Sequence, residues 1–279
     1  MKEVSKEELF KVQLDMVQFI DRICRESGIQ YSLSGGSLLG SIRHGGFIPW
    51  DDDIDLMLVR TEYNRLIEQI LKSPEIDSNY TLIHSSQKNA YLPFAKLCDN
   101  RTYFESDLDT LNKGTGIFID IFPMDIMPTD IEKAKKFKKK ALLNNLKLAS
   151  SKKGGTSYAS ASNRLYFIGK LILLAPWHFM YQNKYIHLNT KIDNFMQQYN
   201  GTNEKNIGYV NSWNKNEYMP KEIFESYEDI KFEDRVFRKI KNHNVYLEQL
   251  YGDYMTLPPE NKRENHDYYK WYWKEGAKK

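Results

Sequence analysis

The sequence predicts a mixed α/β fold. Helical and β-type patterns alternate over roughly the first 125 residues, and a helix-rich stretch follows before short strands return. Hydrophobic residues make up 41% of the 279 residues, which is enough to bury a substantial core. The net charge of +3 does not by itself indicate nucleic-acid binding.

The first helix is predicted over residues 6–27. Apolar residues recur every three or four positions, and Gly28 is a natural left-handed stop after the last turn. The apolar stripe consists of Leu9, Val12, Met16, Phe19, Ile20 and Ile23.

Short strands and helices are predicted after this helix. The second of two short helices is expected to be capped by Thr61. The predicted helices cover 37–43 and 61–71. The predicted strands cover 30–34, 54–59, 80–84, 91–97, 102–105 and 117–122.

Changes in composition divide the chain into three predicted parts. Residues 1–128 would form an α/β catalytic core, 129–200 a helical insertion or lid, and 201–279 a segment that completes the site. The insertion is marked by nine lysines and no acidic residue from Lys133 to Lys153. In the last part, strands are predicted at 207–213 and 227–232 and a helix at 243–251.

Three aspartates alternate along the start of a predicted strand. Strand side chains point to opposite faces with a period of two, so Asp51, Asp53 and Asp55 are expected on one face and the intervening apolar residues on the other. Like charges this close repel one another unless a cation lies between them. A divalent metal ion with oxygen ligands is therefore predicted.

Two other arrangements would explain the same acids. One is a strand at the edge of a sheet with its aspartates in water. The other is a calcium loop in which Asp51, Asp53, Asp55 and Glu62 occupy ligand positions 1, 3, 5 and 12. Against the calcium loop, its sixth position requires glycine, and Leu56 stands there.

A fourth acid, Asp120, lies in the apolar run at 117–122. An aspartate in so apolar a strand is costly unless it is paired or binds a metal. If the two strands are neighbours, Asp120 comes opposite Asp53 and Asp55. Such a triad suits two divalent ions, one acting on a hydroxyl and one bridging phosphates.

A glycine turn precedes the acids by 14 residues. Gly35, Gly36 and Ser37 open a short helix, whose N-terminal N–H groups would suit a phosphate, although glycine pairs are also common in ordinary turns.

Three basic residues are further candidates for phosphate contacts. Arg43 and His44 lie between the turn and the acids, within reach of a pyrophosphate or merely at the end of a surface helix. Lys96, in an apolar strand, would neutralise a phosphate or extend to solvent.

These motifs resemble a known family. The segment GGSLLGSIRHGGFIPWDDDIDLML at 35–58 is similar to the glycine-then-DxD motif of the nucleotidyltransferase-fold superfamily, and more narrowly to the LicD family of bacterial phosphotransferases, which shares it with the fukutin-related proteins. IDIFPMD at 119–125 and LYGDYMTLPPENKR at 250–263 are similar to later blocks of that family. The roles of Asp253, Arg263 and His266, in or near the last block, are left open.

The resemblance implies a nucleotidyltransferase-like mixed sheet and a metal-dependent reaction. Phosphocholine would pass from CDP-choline to a sugar of teichoic acid or lipopolysaccharide, and CMP would leave. Asp53, Asp55 and Asp120 would hold Mg²⁺ or Mn²⁺, two ions in all. Asp51 would be a further ligand or lie just outside the ligand shell. Asp120 or the metal would lower the pKa of the acceptor hydroxyl.

Three alternatives remain open. Another CDP-alcohol would donate ribitol or glycerol phosphate, a nucleotidyl group would be moved onto a small molecule, or the protein would be a binder without catalysis. Choline favours aromatic faces, and aromatic residues are abundant at 208–218 and 268–273, where packing would explain them equally well.

The longest apolar run, at 165–181, predicts either a buried helix or a helix lying on a membrane surface. With the lysine-rich stretch beside it, a peripheral membrane contact is plausible. The chain opens without an apolar leader segment, and Cys24 and Cys98 suggest ordinary buried thiols. We therefore expect a cytoplasmic protein, in part at the inner face of the membrane.

Overall fold

The structure, a computed structural model, describes residues 1–87, 90–152, 155–263 and 268–276, which form both strands and helices. The strands are β1 (Lys2–Glu3), β2 (Ser32–Leu33), β3 (Asp55–Val59), β4 (Tyr80–Ile83), β5 (Ala95–Asp99), β6 (Thr102–Glu105), β7 (Phe118–Met127), β8 (Asn206–Gly208), β9 (Met219–Pro220), β10 (Tyr227–Phe232), β11 (Arg235–Ile240) and β12 (Lys270–Trp273). The α-helices are α1 (Lys6–Ser27), α2 (Gly35–Arg43), α3 (Arg60–Lys72), α4 (Ile131–Ala149), α5 (Arg164–Tyr181), α6 (Tyr185–Met196) and α7 (His243–Tyr251). This confirms the predicted mixed fold.

The central sheet is built around β7. Its strand order is β2, β3, β7, β5, β4, and the end of β7 also pairs with β8, which pairs with β9. β3 and β7 are parallel, whereas β5 runs antiparallel to β7. Because β7 lies between β3 and β5, side chains from three strands can meet on one face at its start.

Two smaller sheets flank the central one. β1, β12 and β6 form an antiparallel sheet in which Lys2 pairs with Trp273, so strands from opposite ends of the chain are neighbours. β10 and β11 form a hairpin. Its strand β11 packs beside β2 and joins that edge of the central sheet through the bond from Ile240 N to Ser32 Oγ (3.0 Å).

Helix α1 has the predicted bounds. Ser5 caps it, since its hydroxyl accepts from Glu8 N (3.2 Å) while the Glu8 carboxylate accepts from Ser5 N (3.0 Å). Gly28 closes it with φ of 63°, a left-handed conformation that glycine adopts without strain. The apolar stripe is buried against the sheet and anchors the core.

Helix α3 begins one residue earlier than predicted, so the expected cap at Thr61 is wrong. Arg60 is the first helical residue. Its buried guanidinium donates to Asp125 Oδ2 (2.6 Å) and Asp193 Oδ1 (2.8 Å), which ties α3 to β7 and α6. The strand predicted at 117–122 is longer than expected, since β7 continues through Pro123 to Met127. Cys24 and Cys98 are buried free thiols, as predicted.

Helix α5 contains the long apolar run, and the prediction that it is buried is wrong. Leu174 is its only buried residue, whereas Leu165, Ile172, Leu173 and Phe179 are each more than two-thirds exposed. Within the described ranges, no helix combines the length and apolarity needed to span a bilayer.

Candidate active site

The first residue of β3 and the third residue of β7 bring two acids together. In the parallel pairing of these strands, Asp55 lies opposite Asp120. Side chains of residues opposite one another in neighbouring strands point to the same face. The predicted neighbourhood of these two carboxylates is therefore confirmed, and it places them at the edge of a cleft.

Lys96 reaches the same point from the other side of β7. The antiparallel pairing of β5 and β7 places it opposite Asp120, and its Nζ donates to Asp120 Oδ1 at 2.5 Å. The side chain is only 2% exposed, and the ammonium lies 3.2 Å from the centre of the Phe118 ring and 5.8 Å from that of Phe94. Lys96 therefore does not extend to solvent. It neutralises a carboxylate inside an aromatic wall.

Asp51 and Asp53 lie outside the strand, so the prediction that three aspartates alternate along it is wrong. The strand begins at Asp55, because residues 49–50 form a turn in which Asp51 N donates to Ile48 O (2.9 Å). Both acids nevertheless approach the site. A Cβ placed on Gly36 would come within 2.8 Å of Asp51 Oδ2.

The calcium-loop alternative is wrong. Residues 55–59 form a strand rather than a loop, and the Glu62 carboxylate accepts hydrogen bonds from Gln30 N (2.9 Å) and from Arg65 Nη1 (2.8 Å). The Glu62 carboxylate therefore helps to hold α3 in place and does not form a metal site with the aspartates.

The acids raise one another's pKa. Burial raises the pKa of Asp55 well above its usual range, and the charges of Asp53, Asp120 and Asp51 raise it further, while Lys96 lowers it. Burial also raises the pKa of Asp120, although the charge and hydrogen bond of Lys96 oppose that rise. The site therefore has more negative charge than the Lys96 ammonium offsets.

The glycine turn is attached to the acidic strand. Ser34 precedes α2, and the Ser37 hydroxyl accepts from Asp55 N (2.8 Å). Gly35 has φ of 48°, and a Cβ there would lie 4.0 Å from Asp55 Oδ2. The N-terminus of α2 and the Asp55 carboxylate thus lie side by side, which is the arrangement predicted for a phosphate beside acids. The hydroxyl of Tyr246 holds this turn from α7 by accepting from Gly35 N (3.3 Å).

Arg43 and His44 contact each other, and Arg43 also contacts the C-terminal block; their predicted role in binding a pyrophosphate stays a prediction. Arg43 Nη1 donates to Tyr254 O (2.9 Å) and its Nε to His44 Nε2 (3.0 Å). Burial and the Arg43 charge lower the pKa of His44, which favours the neutral ring. Among the described contacts, no hydrogen bond or salt bridge joins either residue to the aspartates.

A cavity of about 630 Å³ opens over the acids. Asp55 and Asp120 line it, and most of its wall comes from residues that the sequence did not indicate as site residues. These wall residues include Phe94, Phe122, Tyr209, Trp213, Glu217, Tyr246 and Tyr251. Three of the aromatic rings form one continuous surface, since the Phe122 ring lies 4.9 Å from that of Phe94 and 4.8 Å from that of Tyr209.

Glu217 supplies a further carboxylate to this cavity. It is buried, and burial raises its pKa. Lys138 of α4 lies nearby and donates to the carbonyl oxygens of Asn214 (2.9 Å) and Glu217 (3.2 Å). Burial lowers the pKa of Lys138 to about 8. Helix α4 is thereby tied to the wall of the cleft.

Comparison with known proteins identifies the family. Residues 28–147 match the family described as LicD/FKTN/FKRP, nucleotidyltransferase domain. Over 270 residues the chain is 32% identical to the lipopolysaccharide cholinephosphotransferase LicD of Haemophilus influenzae, covering 95% of this chain and 97% of that protein. The chain belongs to the LicD family. The human and mouse ribitol 5-phosphate transferases FKRP are 45% identical to it over 42 residues, which is 15% of this chain and 8% of each of those proteins.

Family membership confirms the resemblance seen in the sequence and, with it, the prediction of a phosphotransferase. The block at 119–125 forms the start and middle of β7, including Asp120. The block at 250–263 includes Tyr251, whose hydroxyl lies near Gly35 in the cavity wall.

The remaining candidates in or near the C-terminal block make contacts of their own or lie outside the described residues. Asp253 is exposed and accepts from Thr256 Oγ1 (2.7 Å). The Arg263 guanidinium lies 4.4 Å from the centre of the Trp50 ring, next to the turn that leads into Asp51. His266 is outside the described residues.

No three His, Cys, Asp or Glu side chains of the described residues are arranged to hold a metal ion as they stand. The Lys96 ammonium contacts Asp120, one of the acids at which the sequence predicts an ion. The metal ligands named from the sequence therefore remain a prediction. The argument for them is that carboxylate oxygens are suitable ligands for a divalent ion.

Proposed function

We propose that this LicD family member transfers phosphocholine from CDP-choline to a sugar hydroxyl of a cell-surface glycan, such as a teichoic acid or lipopolysaccharide precursor, and releases CMP. The observation that carries the proposal is the pairing of Asp55 with Asp120 beside the glycine N-terminus of α2. Similarity to a lipopolysaccharide cholinephosphotransferase along nearly the whole chain supports the choice of donor and acceptor.

The donor set fits a divalent cation. Carboxylate oxygens are the ligands that Mg²⁺ and Mn²⁺ prefer. Burial is the main cause of the raised pKa of Asp55, and the like charges of Asp53, Asp120 and Asp51, which raise it further, would be relieved by such a cation. Asp51, Asp53, Asp55 and Asp120 would hold two ions. When bound, the ions would neutralise the donor phosphates and lower the pKa of the acceptor hydroxyl.

The protein's own groups would position and deprotonate the reactants. The backbone N–H groups at the start of α2 would bind a phosphate of the donor. The acceptor oxygen would form a bond to the β-phosphorus as the bond from that phosphorus to the bridging oxygen breaks, with CMP taking the electron pair. The hydroxyl proton would pass to the carboxylate of Asp120, which Lys96 helps to keep ionised.

The cavity chemistry favours choline over a polyol. A quaternary ammonium is attracted to aromatic faces and to a carboxylate, and the wall offers Phe94, Phe122 and Tyr209 together with Glu217. A ribitol or glycerol phosphate donor is the second candidate, because the FKRP proteins, which share 42 residues of similarity, are named ribitol 5-phosphate transferases. A small-molecule nucleotidyltransferase is a third.

CMP release from a panel of donors tests the proposal. The purified chain is incubated with CDP-choline, CDP-ribitol or CDP-glycerol and a sugar acceptor, with and without Mg²⁺. We expect CMP from CDP-choline in the presence of Mg²⁺. If CMP is released from CDP-ribitol or CDP-glycerol but not from CDP-choline, the donor is a polyol phosphate. In a separate incubation with CTP, release of pyrophosphate would indicate nucleotidyl transfer.

Matched variants test the site itself. Asp55→Asn and Asp120→Asn should each lower CMP release at least about 100-fold, because the first removes a proposed metal ligand and the second the proposed general base. Asp234→Asn, which removes an aspartate that is 84% exposed, serves as the control and should retain full activity. Near-normal turnover in both site variants would refute the assignment.

A further inference from the structure

Helix α5 exposes an apolar face that the described residues leave uncovered. Leu165 is 80% exposed, Ile172 71%, Leu173 76% and Phe179 73%. Leu165, Ile172 and Phe179 are spaced seven residues apart, so they lie along one side of the helix, and Leu173 lies beside them. A helix this rich in apolar residues is normally buried, so this face, called the apolar face of α5, requires a partner.

The opposite side of α5 fixes the helix to the protein. Leu174 is buried there, and the His178 ring stacks on that of Tyr158 with centroids 4.6 Å apart. His178 Nδ1 also lies 2.9 Å from Ser150 O, at the end of α4. The apolar face is therefore held outward on a packed helix.

Charge is strongly segregated around this helix. Residues 131–198 contain thirteen Lys and Arg and only two Asp and Glu, a net charge of +11. The whole chain has a net charge of +3, so the rest carries −8. Among the described residues, Lys135 is the only basic residue of this segment that forms a salt bridge. Lys138 is buried against the cleft wall, but most of the remaining positive charge is not offset by an acidic side chain and is available to a partner.

Basic residues lie at both ends of α5 and beside its aromatic residue. Arg164 begins the helix and Lys184 follows it, and both are exposed. Lys147 places its ammonium 5.9 Å from the centre of the Trp177 ring. Apolar side chains flanked by lysine, arginine and tryptophan are typical of helices that lie at the level of lipid headgroups.

We propose that the apolar face of α5 docks the protein on an anionic lipid bilayer, with Leu165, Ile172, Leu173 and Phe179 inserted among the acyl chains and exposed basic residues of 131–198, such as Arg164 and Lys184, against the headgroups. A second copy of the chain fits less well, because a symmetric contact through this face would bring two segments of charge +11 together. An anionic membrane complements both the apolar area and the charge.

Vesicle flotation of the full chain tests the insertion. We expect binding to vesicles of phosphatidylcholine mixed with phosphatidylglycerol at low salt, weaker binding as salt rises, and little binding to phosphatidylcholine alone. Ile172→Asp combined with Phe179→Asp should lower the partition coefficient at least about 100-fold, because two inserted apolar side chains are lost. Val236→Asp changes a residue that is 51% exposed on the β10–β11 hairpin, and this control should bind like wild type.

A charge-reversal pair tests the electrostatic part. Arg164→Glu combined with Lys184→Glu should weaken binding to anionic vesicles and reduce its dependence on salt. Lys231→Glu makes the same kind of change at an exposed position of β10 outside the segment and should have no effect.

Two results would overturn the proposal. One is flotation that is absent from the wild type or is unchanged in the Ile172/Phe179 variant. The other is a wild-type dimer in light scattering that this variant separates into monomers, which would assign the face to a second copy. Circular dichroism of each variant verifies folding, which exposed substitutions should not disturb.

Discussion

Replacing Lys96 with methionine tests whether the ammonium at the acid pair supports the fold. Its Nζ bonds to Asp120 Oδ1 at 2.5 Å, the side chain is 2% exposed, and the ring of Phe118 covers the ammonium. Methionine retains a long unbranched chain and removes the charge. The variant therefore leaves Asp55 and Asp120 adjacent without the cation that now lies between β5 and β7.

The expected loss of stability follows from the burial of the pair. Removing one partner of a buried ion pair costs about 3–5 kcal/mol, because the other charge stays buried without compensation. The Asp120 side chain retains 18% exposure, which gives water some access, so we expect the lower end, about 3 kcal/mol. At about 2–4 °C for each kcal/mol in a chain of this size, the melting temperature should fall by about 6–12 °C.

Urea and thermal unfolding measure this effect in a double-mutant cycle. Lys96→Met, Asp120→Asn and the double variant are compared, and the double variant should recover at least about 1.5 kcal/mol of the sum of the single losses. Lys113→Met is the matched control, since Lys113 pairs with Glu105 at 3.5 Å on the surface, where a salt bridge contributes at most about 1 kcal/mol. If Lys96→Met costs no more than Lys113→Met, the pair does not support the fold as argued.

Three further substitutions have distinct expected outcomes. Gly36→Ala places a Cβ 2.8 Å from Asp51 Oδ2, so it should displace that carboxylate and lower CMP release at least about tenfold while leaving the melting temperature nearly unchanged. In Gly40→Ala the added Cβ lies 2.4 Å from a backbone oxygen, so the free energy of unfolding in urea should fall by about 1–3 kcal/mol. In Gly169→Ala the added Cβ has no neighbour within 4 Å, so this variant should stabilise α5 by about 0.5–1 kcal/mol. Equal effects of the two variants would contradict the packing argument. Burial lowers the pKa of His84 to about 4, so the unfolded chain takes up a proton below about pH 6.5 that the folded chain does not. Stability should therefore fall as the pH drops from 6.5 to 4, by up to about 2 kcal/mol at pH 5, and His84→Asn should remove that part of the fall.

Local patterns predicted the helices better than the sheet edges. The bounds of α1 follow from its own stripe and caps, Ser5 and Gly28, which are neighbours in sequence. The short strands β1 and β12 carry no such pattern. They exist because Lys2 pairs with Trp273, a contact between distant parts of the chain that periodicity does not encode. The sequence left open whether α5 is buried or lies on a membrane surface for a related reason, since apolarity shows that a helix needs a partner without showing which one.

The centre of the site was predictable because an acid in an apolar strand requires a polar or charged partner. Asp120 lies in an apolar strand, and the parallel pairing of β3 with β7 places Asp55 opposite it. The cavity wall was not predictable, since Tyr209, Glu217 and Tyr246 come from segments that follow α6. The aromatic residues at 208–218 were the available signal, and their abundance suited packing equally well. The role of the acids as metal ligands stays a prediction.

The pKa of Asp55 leads to a last prediction about how the donor binds. At Asp55 the negative charges of Asp53, Asp120 and Asp51 outweigh the positive charge of Lys96, and the N-terminus of α2 adds only about half a positive charge. A CDP-alcohol brings a further anionic pyrophosphate to this point. Donor and divalent cation should therefore bind with positive coupling, each tightening the other by the same factor.

Isothermal titration with CDP-choline tests the coupling. Mg²⁺ should tighten donor binding by at least about tenfold in the wild type, within the usual range for coupled sites. Asp55→Asn removes one of the repelling charges, so without Mg²⁺ it should bind the donor more tightly than the wild type does, and Mg²⁺ should help it less. Asp234→Asn, an exposed change, should behave like the wild type. Equal donor affinity with and without Mg²⁺ in the wild type would mean that the acids do not oppose the pyrophosphate, and the charge argument for a metal at Asp55 and Asp120 would fail.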